Sequence, residues 1–371
     1  MPPALVQTGP VSDSPSVSPS VSPPESLSVS PPDSPSDSLT GPVATLVAAA
    51  RAGSVRATAR LLTSIEAGGA RAAAVAATLA GLPREASIVG LTGPPGVGKS
   101  TLGTALIARY RKQGMRVAVL AVDPSSPFSG GALLGDRVRM AEHSTDPGVF
   151  IRSMSSRGHL GGLSAAAPGA ADLLSAIGFD VLLVETVGVG QNEVAVMRLA
   201  DTVVLVLAPG MGDGIQAAKA GVLEIADVLV VNKSDREGAA NTVRDLKGMV
   251  ALGRSGSAGP ERWRVPVLST IAAESAPGAA GPAGIGELLA AVTSHEKFLT
   301  THGGAALRRQ QRAEVAVEAV VLERIHGALE SAAGRAQLAA AAHVVAGGRT
   351  DHHQGAVELL TWLAGEVAAD G

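Results

Sequence analysis

Seven short runs of almost unbroken apolar residues mark the middle of the chain. They are SIVGLT (87–92), RVAVLAV (116–122), VFIRSM (149–154), DVLLVE (180–185), TVVLVLA (202–208), DVLVVN (227–232) and VPVL (265–268). Most of them do not alternate between apolar and polar positions. A strand that is apolar at both parities is covered on both faces, which predicts an α/β fold with a mainly parallel sheet buried between helices. A helix is expected from about Lys99 to Lys112, turned into the second strand by Gly114-Met115. This domain is expected to span residues 85–300.

The period changes on either side of it. Val43, Leu46, Val47 and Ala50 share one helical face, and Ala57, Leu61, Leu62 and Ile65 share another. Gly68-Gly69 breaks the second helix and Gly81-Leu82-Pro83 ends the last. Residues 42–84 therefore read as two or three helices that cap the sheet domain. Residues 303–345 repeat apolar positions at helical spacing with Arg and Glu between them. They predict one or two long helices that stop at Gly347-Gly348, followed by an amphipathic helix at 355–367. Together they make residues 301–371 a helical extension. Residues 1–41 are mostly Ser, Pro, Asp and Val. Proline every few residues forbids a helix there, and too little apolar surface is present to offset the entropy of ordering, so a disordered tail is expected.

Composition refines this picture. The chain has 371 residues, 46% of them apolar but only 2% aromatic, so the core must be built from Ala, Val, Leu and Ile. A formal net charge of −3 offers no basic footprint for nucleic acid. The absence of cysteine removes disulfides and thiolate metal sites and fits a reducing, cytoplasmic setting. No positive start followed by an apolar run suggests a signal peptide, and no apolar stretch is long enough to span a membrane.

The chemistry begins after the first strand. Gly93-Pro94-Pro95-Gly96-Val97-Gly98-Lys99-Ser100 is a complete G-x-x-x-x-G-K-S/T motif between a strand and a helix, the context that makes it a phosphate-binding loop. Its glycines let backbone N–H groups turn toward phosphate oxygens, and the helix N-terminus adds a favourable field for an anion. Lys99 is expected at the β- and γ-phosphates and Ser100 on a Mg²⁺ ion, with Thr101 completing the nucleotide set. Asp123 and Glu185 end two of the strands, where a Mg²⁺ ion needs carboxylates. Glu185-Thr186-Val187-Gly188 looks like a switch in which the Gly188 N–H meets the γ-phosphate. Gln191, just beyond it, is a candidate for placing water.

Asn232-Lys233-Ser234-Asp235 follows the sixth strand. A carboxylate at Asp235 can accept two hydrogens from guanine N1 and N2, whereas adenine would leave a desolvated acid unmatched. Asn232 can support the loop and approach the base, and the stem of Lys233 can cover one ring face. Ser269, Thr270, Ile271 and Ala272, after the last strand, are placed to give backbone donors to the guanine oxygen. The expected reaction is attack of water on the γ-phosphoryl group of GTP. Arg137, Arg139, Arg152 and Arg157 are candidate charge stabilisers. A metabolite kinase is the alternative within the same loop chemistry.

These residues resemble the MeaB/ArgK family of P-loop GTPases over about residues 42–325. The resemblance rests on GLTGPPGVGKSTL (90–102), AVDPSSPFSGGALLGDRVRM (121–140), IRSMSSRGHLGGLS (151–164), VETVGVGQNEVAV (184–196) and LEIADVLVVNKSDREGA (223–239). It implies a P-loop NTPase of the SIMIBI type. It also implies a GTPase that gates adenosylcobalamin loading and protects an acyl-CoA mutase, above all methylmalonyl-CoA mutase, and a homodimer with its contact in the C-terminal helices. In the same resemblance Asp123 through Arg139 is the first switch region, with Asp136 near metal or phosphate. Pro209 through Lys219 is an extra switch that senses the mutase, where Asp213, Gln216 and Lys219 are the coupling candidates. The chain departs from the family pattern at Asn192, at Gly214-Ile215 and in the last fifty residues. Two alternatives stand beside this reading. One is a different mutase, such as isobutyryl-CoA mutase. The other is metal insertion, to which Asp351-His352-His353 would contribute.

Overall fold

In the computed structural model the described residues are 40–123, 143, 145–155, 166–186, 197–210, 225–252, 262–273 and 282–369. The seven expected strands are all present: β1 (Ser87–Thr92), β2 (Val117–Asp123), β3 (Val149–Ser155), β4 (Val181–Thr186), β5 (Thr202–Leu207), β6 (Val228–Val231) and β7 (Val267–Ser269). They form one sheet in the order β3-β2-β4-β1-β5-β6-β7, and every pairing is parallel. Both parities of β2 are sealed, with Val117, Ala118, Val119 and Leu120 each at 0% exposure. That is the physical reason the strand sequences do not alternate.

Helices cover both faces. One carries α1 (Thr40–Arg51), α2 (Val55–Ala67), α3 (Gly69–Leu79) and α5 (Ala166–Ala176), whose Leu61, Leu62, Val75 and Leu173 share a core with Ala118, Leu120, Leu182 and Val184. The other carries α4 (Lys99–Lys112) and α7 (Ile285–Thr301), whose Leu102, Leu106, Leu288 and Val292 pack on Val89, Leu91, Val119 and Val204. Near β5 and β6, α6 (Ala239–Leu252) covers a smaller cluster with Leu205, Leu207, Leu229 and Leu246. The N-terminal helices are thus continuous with the core of the sheet.

Breaks between helices follow local chemistry. The Ser54 hydroxyl caps α2 by accepting from the Ala57 N–H at 3.2 Å, and Gly68 ends it at φ 70°. The C-terminal run divides into α8 (Gly304–Glu330) and α9 (Ala332–Ala346) at Ser331, whose hydroxyl accepts from the Gly334 N–H at 2.9 Å. The last helix, α10 (His352–Ala369), starts earlier than expected because Asp351 caps it, accepting from the His353 and Gln354 N–H groups at 2.7 and 3.0 Å. Strand β7 starts two residues later than expected. Pro266 has no N–H to give, but its carbonyl accepts from Leu229 at 2.9 Å. Among the described residues no helix is long and apolar enough to cross a membrane.

Candidate functional site

Strand β1 lies at the point where the chain order reverses, with β4 on one side and β5 on the other. Open α/β sheets bind ligands at the carboxyl ends of their strands at such a point. The loop from Gly93 to Gly98 leaves β1 there and enters α4. Two of its glycines, Gly93 and Gly98, are demanded by space as well as by dihedral angle. Gly93 has φ 139°, and a Cβ on it would stand 2.0 Å from the Val206 carbonyl oxygen. Gly98 has φ 92°, and a Cβ there would stand 2.6 Å from Asn232 Nδ2. Only glycine fits positions this close to other backbone or side-chain atoms.

Lys99 opens α4 and is buried. Its ammonium donates to the carbonyls of Gly93 and Pro94 at 2.6 and 3.1 Å. The cation is therefore held across the mouth of the loop. Ser100 and Glu185 are brought together from α4 and β4, with the hydroxyl donating to Glu185 Oε1 at 2.7 Å. Both are buried, at 5% and 3% exposure, so the carboxylate belongs to the site and not to a solvated turn. A hydroxyl and a carboxylate are hard oxygen donors, which suit Mg²⁺ and not a soft metal. Asp123 is the last residue of β2, opposite Ser155 of β3 in the register. Val97 is buried, Pro95 and Gly96 are exposed, and Thr101 is exposed on the first turn of α4.

Asn232 joins this loop to the second half of the site. It is 1% exposed, and its amide donates to the Val97 carbonyl at 2.8 Å. Its oxygen accepts from the Thr270 hydroxyl and the Ala272 N–H, both at 3.1 Å. One buried side chain thus ties together the phosphate loop, the end of β6 and the segment after β7. Lys233 has φ 55°, unusual for a residue with a side chain, and its ammonium donates to the Gly96 carbonyl at 2.6 Å. Desolvation first, then the Arg236 charge, holds its pKa below the ordinary lysine value against the pull of Asp235. Ser234 N–H donates to the Thr270 carbonyl at 3.1 Å, and Asp235 is exposed beside it. Ser269 is exposed while Thr270 and Ile271 are buried, and Ile271 is pinned by a bridge to Ala283. Ala272, the last of the four residues expected to give backbone donors, spends its N–H on the Asn232 oxygen.

Arg152 is not placed as a charge stabiliser. Its guanidinium pairs with both carboxylate oxygens of Glu66 on α2, one of them at 3.1 Å, on the opposite face of the sheet from α4. Gly188, Gln191, Asp213, Gln216 and Lys219 lie outside the described residues, as do Asp136, Arg137, Arg139 and Arg157.

Comparison with known proteins agrees with this geometry. Residues 58–334 match the family described as methylmalonyl Co-A mutase-associated GTPase MeaB. A protein of Pyrococcus abyssi whose name classes it with GTPases is 47% identical over 293 residues, covering 79% of this chain and 88% of its own. GTPase ArgK of Escherichia coli is 39% identical over 228 residues, covering 60% of this chain and 66% of its own. The mouse methylmalonic aciduria type A homolog is 38% identical over 237 residues, covering 64% of this chain and 55% of its own. The solved structure titled as an LAO/AO transport system kinase superposes with TM-score 0.60 at 25% identity, covering 87% of this chain and 98% of its own. With a phosphate loop braced to an N-K-x-D segment, and a family match across more than half its length, the chain belongs to the MeaB/ArgK family of P-loop GTPases and hydrolyses GTP.

Proposed function

We propose that this GTPase serves an adenosylcobalamin-dependent acyl-CoA mutase, specifically methylmalonyl-CoA mutase, gating delivery of the cofactor and removal of damaged cofactor. The family match over residues 58–334 supports that partner. The observation that carries the guanine-nucleotide reading is the Asn232 brace, which fixes the phosphate loop and the base-reading segments as one unit.

In this reading Lys99 exchanges its loop carbonyls for β- and γ-phosphate oxygens. Gly93 through Ser100, with Thr101, form the phosphate cradle. Ser100, Glu185 and Asp123 hold Mg²⁺, which would neutralise phosphate charge when bound. Asp235 reads guanine N1 and N2, Lys233 lies along the base, and the backbone at Ser269, Thr270 and Ile271 faces the guanine oxygen. Gly188 registers the γ-phosphate, Gln191 orients water, and Asp213, Gln216 and Lys219 couple the site to the mutase. Residues 301–371 supply a homodimer contact, a role favoured by the exposed Val317, Val320 and Val321 of α8. The protein acts in the cytoplasm.

Base selection is tested by nucleotide affinity. Asp235→Ala is expected to weaken GTP and GDP about 100-fold while leaving ATP, already weak, unchanged, since a site built for hydrogen bonds discriminates strongly against a ligand lacking them. Equal affinity of the parent protein for GTP and ATP would overturn the assignment of the base site.

A further inference from the structure

Two buried hydroxyls at the carboxyl end of the sheet have no hydrogen-bond partner among the described residues: Ser153 Oγ and Thr186 Oγ1. Folded proteins rarely leave such a group unmatched, because its hydration is lost with no return. A persistent exception is usually met by a water or ion that belongs to the working site. Thr186 follows Val184 and Leu182 in parity, on the face covered by α1, α2, α3 and α5. Ser153 lies on the other face. It follows Val149 and Ile151, which pack with α4, whereas Phe150 and Met154 pack on the opposite side and Arg152 is bound there by Glu66.

The register places Ser153 beside the site. Ser153 is opposite Ala121 of β2, and Ala121 is opposite Glu185 of β4. The three residues form one row on the α4 face, with only the methyl of Ala121 between the hydroxyl and the carboxylate that accepts from Ser100. Backbones two strands apart stand about 10 Å from each other, too far for a serine and a glutamate to bond directly and close enough for bridging water. Asp123 lies two residues beyond Ala121 on β2, so this row directly underlies the strand end expected to serve the metal.

We propose that Ser153 is a positioning residue of the Mg²⁺ site, its hydroxyl holding metal-bound water in the row shared with Glu185. The inference rests on the reading of Ser100 and Glu185 as the metal's residues. Ser153 acts through water and is not a ligand. Outer groups of this kind orient the inner ones, and their loss typically weakens a metal about 10- to 100-fold.

The test is calorimetric titration of Mg²⁺ into GDP-loaded protein, with GDP affinity in EDTA and the metal-free melting temperature as companion readouts. Ser153→Ala is expected to weaken Mg²⁺ about tenfold. GDP affinity in EDTA should be unchanged, and the metal-free melting point equal or higher because an unmatched buried hydroxyl has been removed. Ser153→Thr, which keeps the hydroxyl, should restore Mg²⁺ affinity. Mg²⁺ affinity in Ser153→Ala within twofold of the parent, or a loss that Thr does not restore, overturns the proposal. Ser100→Ala separates the two levels. If it leaves Mg²⁺ affinity unchanged, the metal reading of the site itself fails. If it abolishes binding while Ser153→Ala does nothing, only the role of Ser153 fails.

Discussion

Asn232 makes three hydrogen bonds from a nearly inaccessible position, one to the phosphate loop and two to the segment after β7. Replacing it with Ala would leave the Val97 carbonyl, the Thr270 hydroxyl and the Ala272 N–H without that partner. Each buried group left unmatched costs about 1–3 kcal/mol. Asn232→Ala is therefore expected to lower the melting temperature and to weaken GDP and GTP together, as measured by thermal unfolding and equilibrium binding. Unchanged stability with an altered base preference would mean that Asn232 reads the nucleotide and does not brace the loop. Gly98→Ala strains the same junction from the other side, through φ 92° and the 2.6 Å approach to Asn232 Nδ2. A backbone held in such a region costs a side-chain-bearing residue about 1–3 kcal/mol, so nucleotide affinity should fall even if α4 still forms, as circular dichroism would show. The motif residues were legible in the sequence because loop and helix chemistry force their spacing. That Asn232 supports the loop was legible, but its partners at Val97, Thr270 and Ala272 were not, because they lie far along the chain. The bonds of Lys99 to Gly93 and Pro94 were not legible either, because they depend on how the loop curls back over its own helix and not on spacing.

At the scale of elements, the ion pair between Arg152 of β3 and Glu66 of α2 binds the N-terminal helices to the edge of the sheet. Its side chains are 28% and 21% exposed, so solvent screens part of the attraction. Arg152→Met should cost about 1 kcal/mol of stability, with little change in GTP turnover. A 100-fold fall in kcat at unchanged stability would instead return Arg152 to the reacting phosphates. The strands were readable because a doubly buried parallel sheet imposes continuous apolar runs. Helices α5, α6 and α7 carried weaker signals. The first is Ala-rich with an internal Pro-Gly, and its amphipathic contrast is low although nine of its residues are buried. Helices α8, α9 and α10 were legible by period, but the breaks between them depend on single capping residues, Ser331 and Asp351. Asp351 therefore serves as a helix cap.

Over the whole molecule, the amino ends of the central strands, opposite the phosphate loop, carry a largely buried polar network. Asp227 accepts from the Val203 N–H at 2.9 Å and takes Arg308 of α8 at 3.0 Å. Asp201 accepts from the Ile88 N–H at 3.0 Å and takes Arg312, one helical turn later. The long C-terminal helix is thus tied to the sheet by two arginines. His295 completes the network, 2.9 Å from the Thr202 hydroxyl and 3.4 Å from Asp227, with Trp263 against its ring. This looks like a nucleophilic triad, but Thr202 is 0% and His295 2% exposed, so no substrate reaches it. Desolvation pushes Asp227 up to about 6, against the pull of Arg308, and pushes His295 down to about 4. Between about pH 4 and 6 the folded state holds the Asp227 proton that the unfolded chain releases, so that group loses stability as pH rises. Over the same interval the unfolded chain protonates His295 and the folded state does not, so that group gains stability as pH rises. The two slopes oppose each other. Compared with the parent, His295→Asn should become relatively more stable on acidification from pH 7 to 5, and Asp227→Asn relatively less, as measured by urea unfolding. Parallel pH profiles for all three proteins would contradict this account of the network. The central claim remains that nucleotide turnover is coupled to a mutase. It is tested most directly by GTP hydrolysis of the purified protein with and without methylmalonyl-CoA mutase, using ATP and Lys99→Ala as controls. The account predicts slow GTP turnover alone, faster turnover with the mutase, and loss of both in the variant. GTP turnover that methylmalonyl-CoA mutase leaves unchanged would contradict it.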